Sequence, residues 1–262
     1  MASEAASPLG REEVYRDLHA HQLTKQATVA LDSARKILSI VASRNPLGDV
    51  LDVGCGLGAW MAAAEQVGAT HVRGIEGPWL DPGKLLVAPD AVSVVDLMTG
   101  NFDAGRTFDT VVSIEVGEHL PAEAAEAFVA SLAKHASRVV FSAAIPGQGG
   151  HGHVNERFQS YWAGLFAGHG YGCVDAIRPA VWGDRSIPSY LRQNVLLFEA
   201  GVPERGWQHG RTMLDVVHPE LWLHTSSLFS QVIGILDGAG MIQRGVNGEG
   251  SQNIHIALPE RR

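Results

Sequence analysis

The sequence predicts an α/β protein whose mostly parallel, doubly wound sheet carries helices on both faces. Two observations lead there. Short β-branched runs alternate with longer stretches whose apolar residues fall at helical spacing. A glycine turn, "VLDVGCGLG" (50–58), follows directly on the first such run, as turns do where a parallel strand passes into a helix.

The elements follow in order. Residues 1 to about 9 read as a leader. From Arg11 to Arg44 the positions Val14, Leu18, Leu23, Val29, Leu31, Ile37, Leu38 and Val41 fit one or two helices, ended by "NPLG" (45–48). "DVLDVG" reads as a strand, "AWMAAAEQVGA" as a helix, and "HVRGIEG", "VSVVDL" and "FDTVVSIEV" as three further strands. A helix is expected from Pro121, which suits a first helical turn, to about His135. "RVVFSAAIP", "GYGCVDAIRP" and "QNVLLFEA" complete the strand series. Beyond about 201 the alternation stops. "PELWLHTSSLFSQVIGILDGAG" has helical spacing, and "NIHIAL" reads as a short extra strand or a surface tail. The divisions expected are an N-terminal helical cap (1–47), a central ligand-binding domain (48–200) and a C-terminal helical extension (201–262).

Composition narrows the function. The 262 residues suffice for one sizeable core. A formal net charge of -8 argues against a nucleic-acid partner, because phosphate backbones attract basic surfaces. Only Cys55 and Cys173 are present, so no disulfide framework is implied. No secretory signal and no apolar run of membrane-spanning length occurs. These features lead to the expectation of a cytoplasmic enzyme or binding protein, monomer or homodimer, with a small-molecule partner and no nucleic acid or membrane.

In doubly wound sheets ligands sit outside the carboxyl ends of the strands, so the residues just after each strand matter most. Gly54, Gly56 and Ala59 satisfy a loose dinucleotide fingerprint, with Cys55 and Gly58 in the same turn. Asp52, two residues before the first glycine, would repel a diphosphate but welcome an ammonium group. S-adenosylmethionine (SAM) carries an amino acid at one end and adenosine at the other. Glu76 and Gly77 end the second strand, where a carboxylate can accept from both ribose hydroxyls. Asp96 and Leu97 end the third, where a carboxylate and a backbone N–H suit adenine. Three acids at three successive strand ends match ammonium, ribose and adenine in order.

"VLDVGCGLG", "GIEG", "VVDL" and "FDTVVSIEVGEHLP" together resemble the successive motifs of class I SAM-dependent methyltransferases, over roughly residues 48–200. The resemblance implies a Rossmann-like, seven-stranded sheet with an antiparallel last strand. It also implies SAM across the ends of strands one to four, with Glu115 beside the cofactor.

Methyl transfer is a direct displacement: the enzyme aligns nucleophile and methyl, excludes water and removes a proton from a hydroxyl acceptor. Cys55 is therefore not needed as a nucleophile and reads as a small residue against the cofactor. Glu115, Glu118 and His119 stand at relative positions 0, 3 and 4, which one helical turn would project to one side. "GGHGHVNERF" adds His151, His153, Asn155 and Glu156 after the next strand. Two carboxylates and two imidazoles converging over the methyl can hold a divalent cation. The E-x-x-E-H pattern is similar to that of ubiquinone-pathway O-methyltransferases and small-RNA 2′-O-methyltransferases, which implies Glu115, Glu118, His119 and His153 as ligands of Mg2+ or Mn2+. The same segment equally resembles class I enzymes without a metal. There His119 or His153, assisted by Glu118, would be the general base. Both readings stay open at this point. "PGQGG" would let backbone approach a ligand, and Gln148, Asn155, Trp182 and Arg192 are candidate substrate contacts, with Tyr190 and Gln193 nearby in sequence.

The expected function is methyl transfer from SAM to a hydroxyl of a small metabolite, such as a sugar or natural-product scaffold. The alternatives are N-methylation of a small amine, a non-catalytic SAM-binding protein and an NAD-dependent oxidoreductase.

Overall fold

The computed structural model describes residues 25–203, 214–238, 242–246 and 252–256. The chain divides into two compact units, residues 1–216 and 217–262. In the first unit the elements are α1 (Lys25–Arg44), β1 (Asp49–Val53), α2 (Ala59–Gln66), β2 (His71–Glu76), β3 (Val92–Val94), β4 (Thr110–Ile114), α3 (Ala125–His135), β5 (Arg138–Ser142), α4 (Gln159–Gly168), β6 (Tyr171–Val174), α5 (Arg178–Val181), α6 (Ser189–Asn194) and β7 (Leu196–Ala200). They form one seven-stranded sheet in the order β3-β2-β1-β4-β5-β7-β6. β7 runs antiparallel to both its neighbours, and the other pairings are parallel. The expected strands and the antiparallel last strand are therefore present.

Side chains along a strand alternate between faces, so a sheet covered on both sides needs apolar residues at every position. β1, β4 and β5 come close to meeting that demand, with Asp52, Thr110, Ser113, Arg138 and Ser142 as buried polar exceptions. Leu51, Val53, Val111, Val139 and Phe141 join Phe128, Leu132, Trp162 and Phe166 of α3 and α4 in one buried cluster. Val50, Val112 and Val140 join Ile37, Leu38 and Val41 of α1 and Trp60, Ala63 and Ala64 of α2 in the other. The helix before Pro46 is thus part of the same core as β1. The helix expected from Pro121 begins as a 3-10 turn, Ala122–Ala124, before α3 takes over.

A charge opens the buried strand β5. Arg138 is buried yet donates to the carbonyl of Asn45 (3.0 Å) and to Thr110 Oγ1 (2.6 Å). It ties the end of α1 to the amino ends of the central strands, opposite the edge where a ligand would bind. Chain order reverses on either side of β1 and β4, so the crevice opens at the carboxyl ends of these two strands.

The second unit contains α7 (Pro219–Gly238) and the antiparallel hairpin β8 (Ile242–Val246) and β9 (Gln252–Ile256). "NIHIAL" accordingly contributes to β9, and its partner β8 had no counterpart in the sequence reading. No helix among the described residues is long and apolar enough to cross a membrane.

Candidate active site

The first half of the crevice is made by the turn between β1 and α2. Gly54 and Cys55 donate their N–H groups to the Ile75 carbonyl (2.8 and 3.1 Å), which holds the turn against β2. Gly56 has φ +55, and a Cβ there would meet nothing within 4 Å, so its backbone borders open space. Left-handed backbone of this kind favours glycine. Gly58 closes the turn, its N–H donating to the Cys55 carbonyl (2.9 Å), and α2 begins at the next residue.

Glu76 reaches across to this turn. Its Oε2 accepts from the Gly56 N–H (2.6 Å) and its Oε1 from the Gly77 N–H (2.7 Å). The carboxylate is buried but keeps lone pairs beyond those two bonds. Trp79 lies against Gly77: a Cβ on that glycine would fall 2.2 Å from the indole ring. Asp52 is buried on β1, and one of its carboxylate oxygens has no hydrogen-bond partner. Burial, and then the Glu76 charge, push its pKa well up. Cys55 packs toward β2, where a Cβ on Gly74 would stand 2.8 Å from Sγ. Burial, and then the Asp52 and Glu76 charges, raise its thiol pKa, which disfavours the nucleophilic thiolate. Asp96 is exposed and accepts from the Met98 N–H (2.9 Å), while Leu97 is buried behind it.

The second half is made by the segments after β4 and β5. Glu115 takes the left-handed conformation, φ 54, which is unfavourable for a residue with a Cβ and is held by its surroundings. Its N–H donates to the Ser142 carbonyl (3.0 Å). Its carboxylate accepts from Gln148 Nε2 (2.8 Å) and from Asn194 Nδ2 (3.2 Å). Asn194 also donates to Gln148 Oε1 (2.9 Å), so an acid and two amides close a ring. Desolvation still raises the Glu115 pKa.

The 3-10 turn Gly117–His119 then carries Glu118 inward. Glu118 is fully buried, and neither carboxylate oxygen has a hydrogen-bond partner. Burial, reinforced by Glu115, drives its pKa well above the usual carboxylate range. Its backbone carbonyl accepts from the N–H groups of Val154 and Asn155 (2.8 and 3.0 Å), which brings the segment after β5 alongside. His153 Nε2 consequently lies 4.0 Å from Glu118 Oε1, and its ring meets His119 edge-on at 4.9 Å. Burial and the neighbouring His153 lower the His119 pKa to about 4, so its ring is neutral near pH 7. Ligand atoms of Glu118, His119 and His153 all fall within 4.8 Å of one another.

The predicted residues thus separate into groups. Glu118, His119 and His153 converge. Glu115 lies in the same wall, but its carboxylate is engaged by Gln148 and Asn194, and it is not part of that cluster. Gln148 faces Glu115. Asn155 is buried, its Oδ1 accepting from Arg157 and its Nδ2 without a partner. Arg192 is buried and donates to the carbonyls of Ile187 (2.9 Å) and Trp182 (2.8 Å), where it holds a turn. Trp182 is half-buried there. His151 is exposed. Tyr15, His19, His21 and Gln22, which the sequence offers as candidate contacts from the N-terminal helices, lie outside the described residues. The sequence reading missed Asn194 and the role of Glu156. Both contacts join positions far apart in sequence or hidden in a loop, and no spacing rule announces them.

Solved structures share this fold. Magnesium protoporphyrin IX methyltransferase from Synechocystis PCC 6803 with bound SAM is 17% identical, with a TM-score of 0.50 over 75% of this chain and 100% of that one. Its complex with SAH is 18% identical, with a TM-score of 0.51 over 72% of this chain and 93% of that one. DesVI of Streptomyces venezuelae aligns more loosely, at 25% identity and a TM-score of 0.40 over 55% and 62% of the two chains. The fold is therefore one shared with methyltransferases solved with bound SAM and SAH. The family model described as "Methyltransferase domain" matches residues 20–176, and the chain belongs to that family. No curated protein matches it.

Proposed function

We propose that the protein transfers a methyl group from SAM to a hydroxyl of a small metabolite, a sugar or natural-product scaffold, with His153 receiving the hydroxyl proton. The observation that carries this reading is the placing of His153 Nε2 beside Glu118 and His119 at the carboxyl end of β4. A hydroxyl must lose its proton as the new bond forms, and an imidazole suits that task near neutral pH.

SAM supplies a methyl already activated on its sulfonium. Asp52, with an unpartnered buried oxygen, suits the ammonium end. Glu76, whose carboxylate is fixed by two N–H groups, suits the ribose, and Asp96 and Leu97 suit adenine. Gly54 to Gly58 let backbone approach the ligand, and Glu115 borders the methyl from β4. Gln148, half-buried beside Glu115, is a candidate substrate contact.

Glu118, His119 and His153 also fit a divalent cation. The two oxygens of Glu118 without partners and the neutral His119 form an oxygen-and-nitrogen donor set. Mg2+ or Mn2+ held there would lower the pKa of an acceptor hydroxyl. A second reading, N-methylation of a small amine, has support in the same acid, because an ionised Glu118 can hold an ammonium and take the proton that frees the amine's lone pair for transfer.

Calorimetry with SAM, SAH and NAD tests the cofactor: NAD binding without SAM binding would overturn the proposal. Labelled-methyl incorporation across hydroxyl- and amine-bearing acceptors then separates O- from N-transfer. Repeating it with excess chelator, then with added Mg2+ or Mn2+, tests the cation. Turnover unchanged by chelator removes the cation from the scheme.

A further inference from the structure

Glu156 stands outside the converging residues, on a loop whose sequence gives it no evident task. Its carboxylate nevertheless joins three groups. Oε1 lies 2.9 Å from His153 Nδ1 and accepts from the Gly149 N–H at 2.9 Å. Oε2 accepts from the Gly147 N–H at 2.8 Å. The two glycines have φ +71 and +81, and the next residue, Gly150, is so close that a Cβ would stand 2.2 Å from His153 Nε2. The glycine loop therefore lies against the imidazole, and one carboxylate grips both.

We infer that Glu156 is a positioning residue that fixes His153 in the tautomer protonated on Nδ1 and, in the same contact, fastens the 147–150 loop against the ring. A carboxylate facing Nδ1 accepts and cannot donate when ionised, so the ring proton is drawn to that nitrogen. The Nε2 lone pair is then presented to the side where Glu118 and His119 lie. Without Glu156 the preference reverses. A neutral imidazole with no acceptor on Nδ1 favours the proton on Nε2, the nitrogen that should be bare. The arrangement serves equally for a base and for a metal-binding imidazole, since either requires a free Nε2. The inference rests on the reading that His153 works at the acceptor, but its test needs no acceptor.

The test is nitrogen-15 NMR of the histidine rings in the full chain, freed of metal by chelator, at pH 7.5. In the wild type, His153 is expected to show a protonated, pyrrole-type Nδ1 and a pyridine-type Nε2. In Glu156→Ala the pattern should shift toward the opposite tautomer. The Gly147 and Gly149 amides should also exchange faster, by on the order of ten-fold, once their charged acceptor is gone. Glu126→Gln, which alters the partner of His169 (3.1 Å), should move that ring's signals and leave His153 unchanged. A wild-type His153 protonated on Nε2 overturns the inference. So does a Glu156→Ala chain whose His153 keeps the wild-type pattern. If Glu156→Ala does not fold, the wild-type spectrum alone decides. SAM calorimetry is independent of all these signals, so loss of the proposed activity would be told apart from loss of this contact.

Discussion

The two walls of the crevice are built on different principles. On the side proposed for the cofactor, one oxygen of Asp52 apart, the polar groups satisfy one another within one strand–turn–strand unit. Glu76 binds the N–H groups of Gly56 and Gly77, and the turn's own N–H groups reach Ile75. On the side proposed for the acceptor the contacts run between distant segments. Glu115 is held by Gln148 and Asn194, 33 and 79 positions away, and Glu118 is buried with no hydrogen-bond partner for either oxygen. One wall is nearly complete before a ligand arrives. The other holds buried polar groups that a ligand, a proton or a cation must satisfy. A buried unpaired carboxylate is costly, so it takes up a proton until something replaces it.

This contrast is most directly broken by His153→Gln, which should lower transfer by about 10²- to 10⁴-fold while leaving SAM affinity unchanged. Single-turnover transfer and calorimetry on the same preparation check it, and a matching fall in SAM affinity would mean that the two walls are not separable.

Glu76→Ala attacks the other wall. It removes the acceptor of two N–H groups, and hydrogen bonds to a charged group contribute about 1.5–3 kcal/mol each. SAM affinity should fall by on the order of 10²-fold, measured by calorimetry, with acceptor binding little altered.

Glu118→Gln sharpens the comparison through stability. Burial raises the pKa of Glu118, so the folded chain keeps a proton that the unfolded chain releases. Its contribution is full below the unfolded value of about 4.5 and is lost as pH rises through the raised folded value. The amide removes that loss. The metal-free variant should therefore unfold a few degrees higher than wild type at pH 8 and show a flatter pH dependence, even as transfer falls. Thermal unfolding at pH 5 and pH 8 provides the measurement.

The smallest effect lies away from both walls. Lys36 Nζ bonds Asp184 (2.6 Å) and Ser186 (2.5 Å), which links α1 to the turn after α5. The Lys36 hydrogen bond first, and the Ser186 bonds next, lower the Asp184 pKa to about 2. The stability this gives is present above about 3.8 and lost as pH falls toward 2. Asp184→Asn should slightly reduce the acid sensitivity of unfolding and change neither SAM binding nor transfer. The pair is exposed, which keeps the effect small.

The legible parts of the sequence follow the same division. The turn 54–58 and the acid Glu76 could be read directly, because strand, glycine turn and helix are local and their residues stand in a fixed order. The continuous burial of β1, β4 and β5 was equally visible, since a sheet covered on both faces demands near-continuous apolar runs. The E-x-x-E-H segment announced Glu118 and His119. It did not reveal that Glu115 would turn to Gln148 and Asn194. The sequence offers Arg192 as a candidate substrate contact; the fold gives two of its donor groups to the carbonyls of Ile187 and Trp182.

The sequence by itself determined the strand order's raw material, the glycine turn 54–58 and the positions of the acids at strand ends, because these depend on periodicity and on neighbours a few residues apart. Only the tertiary structure decided which acid stays unpartnered, which histidine meets it and that Glu156 grips both His153 and the glycine loop. Those outcomes depend on how the segments after β4 and β5 are brought together. Burial then sets the cost of every polar group left facing the gap.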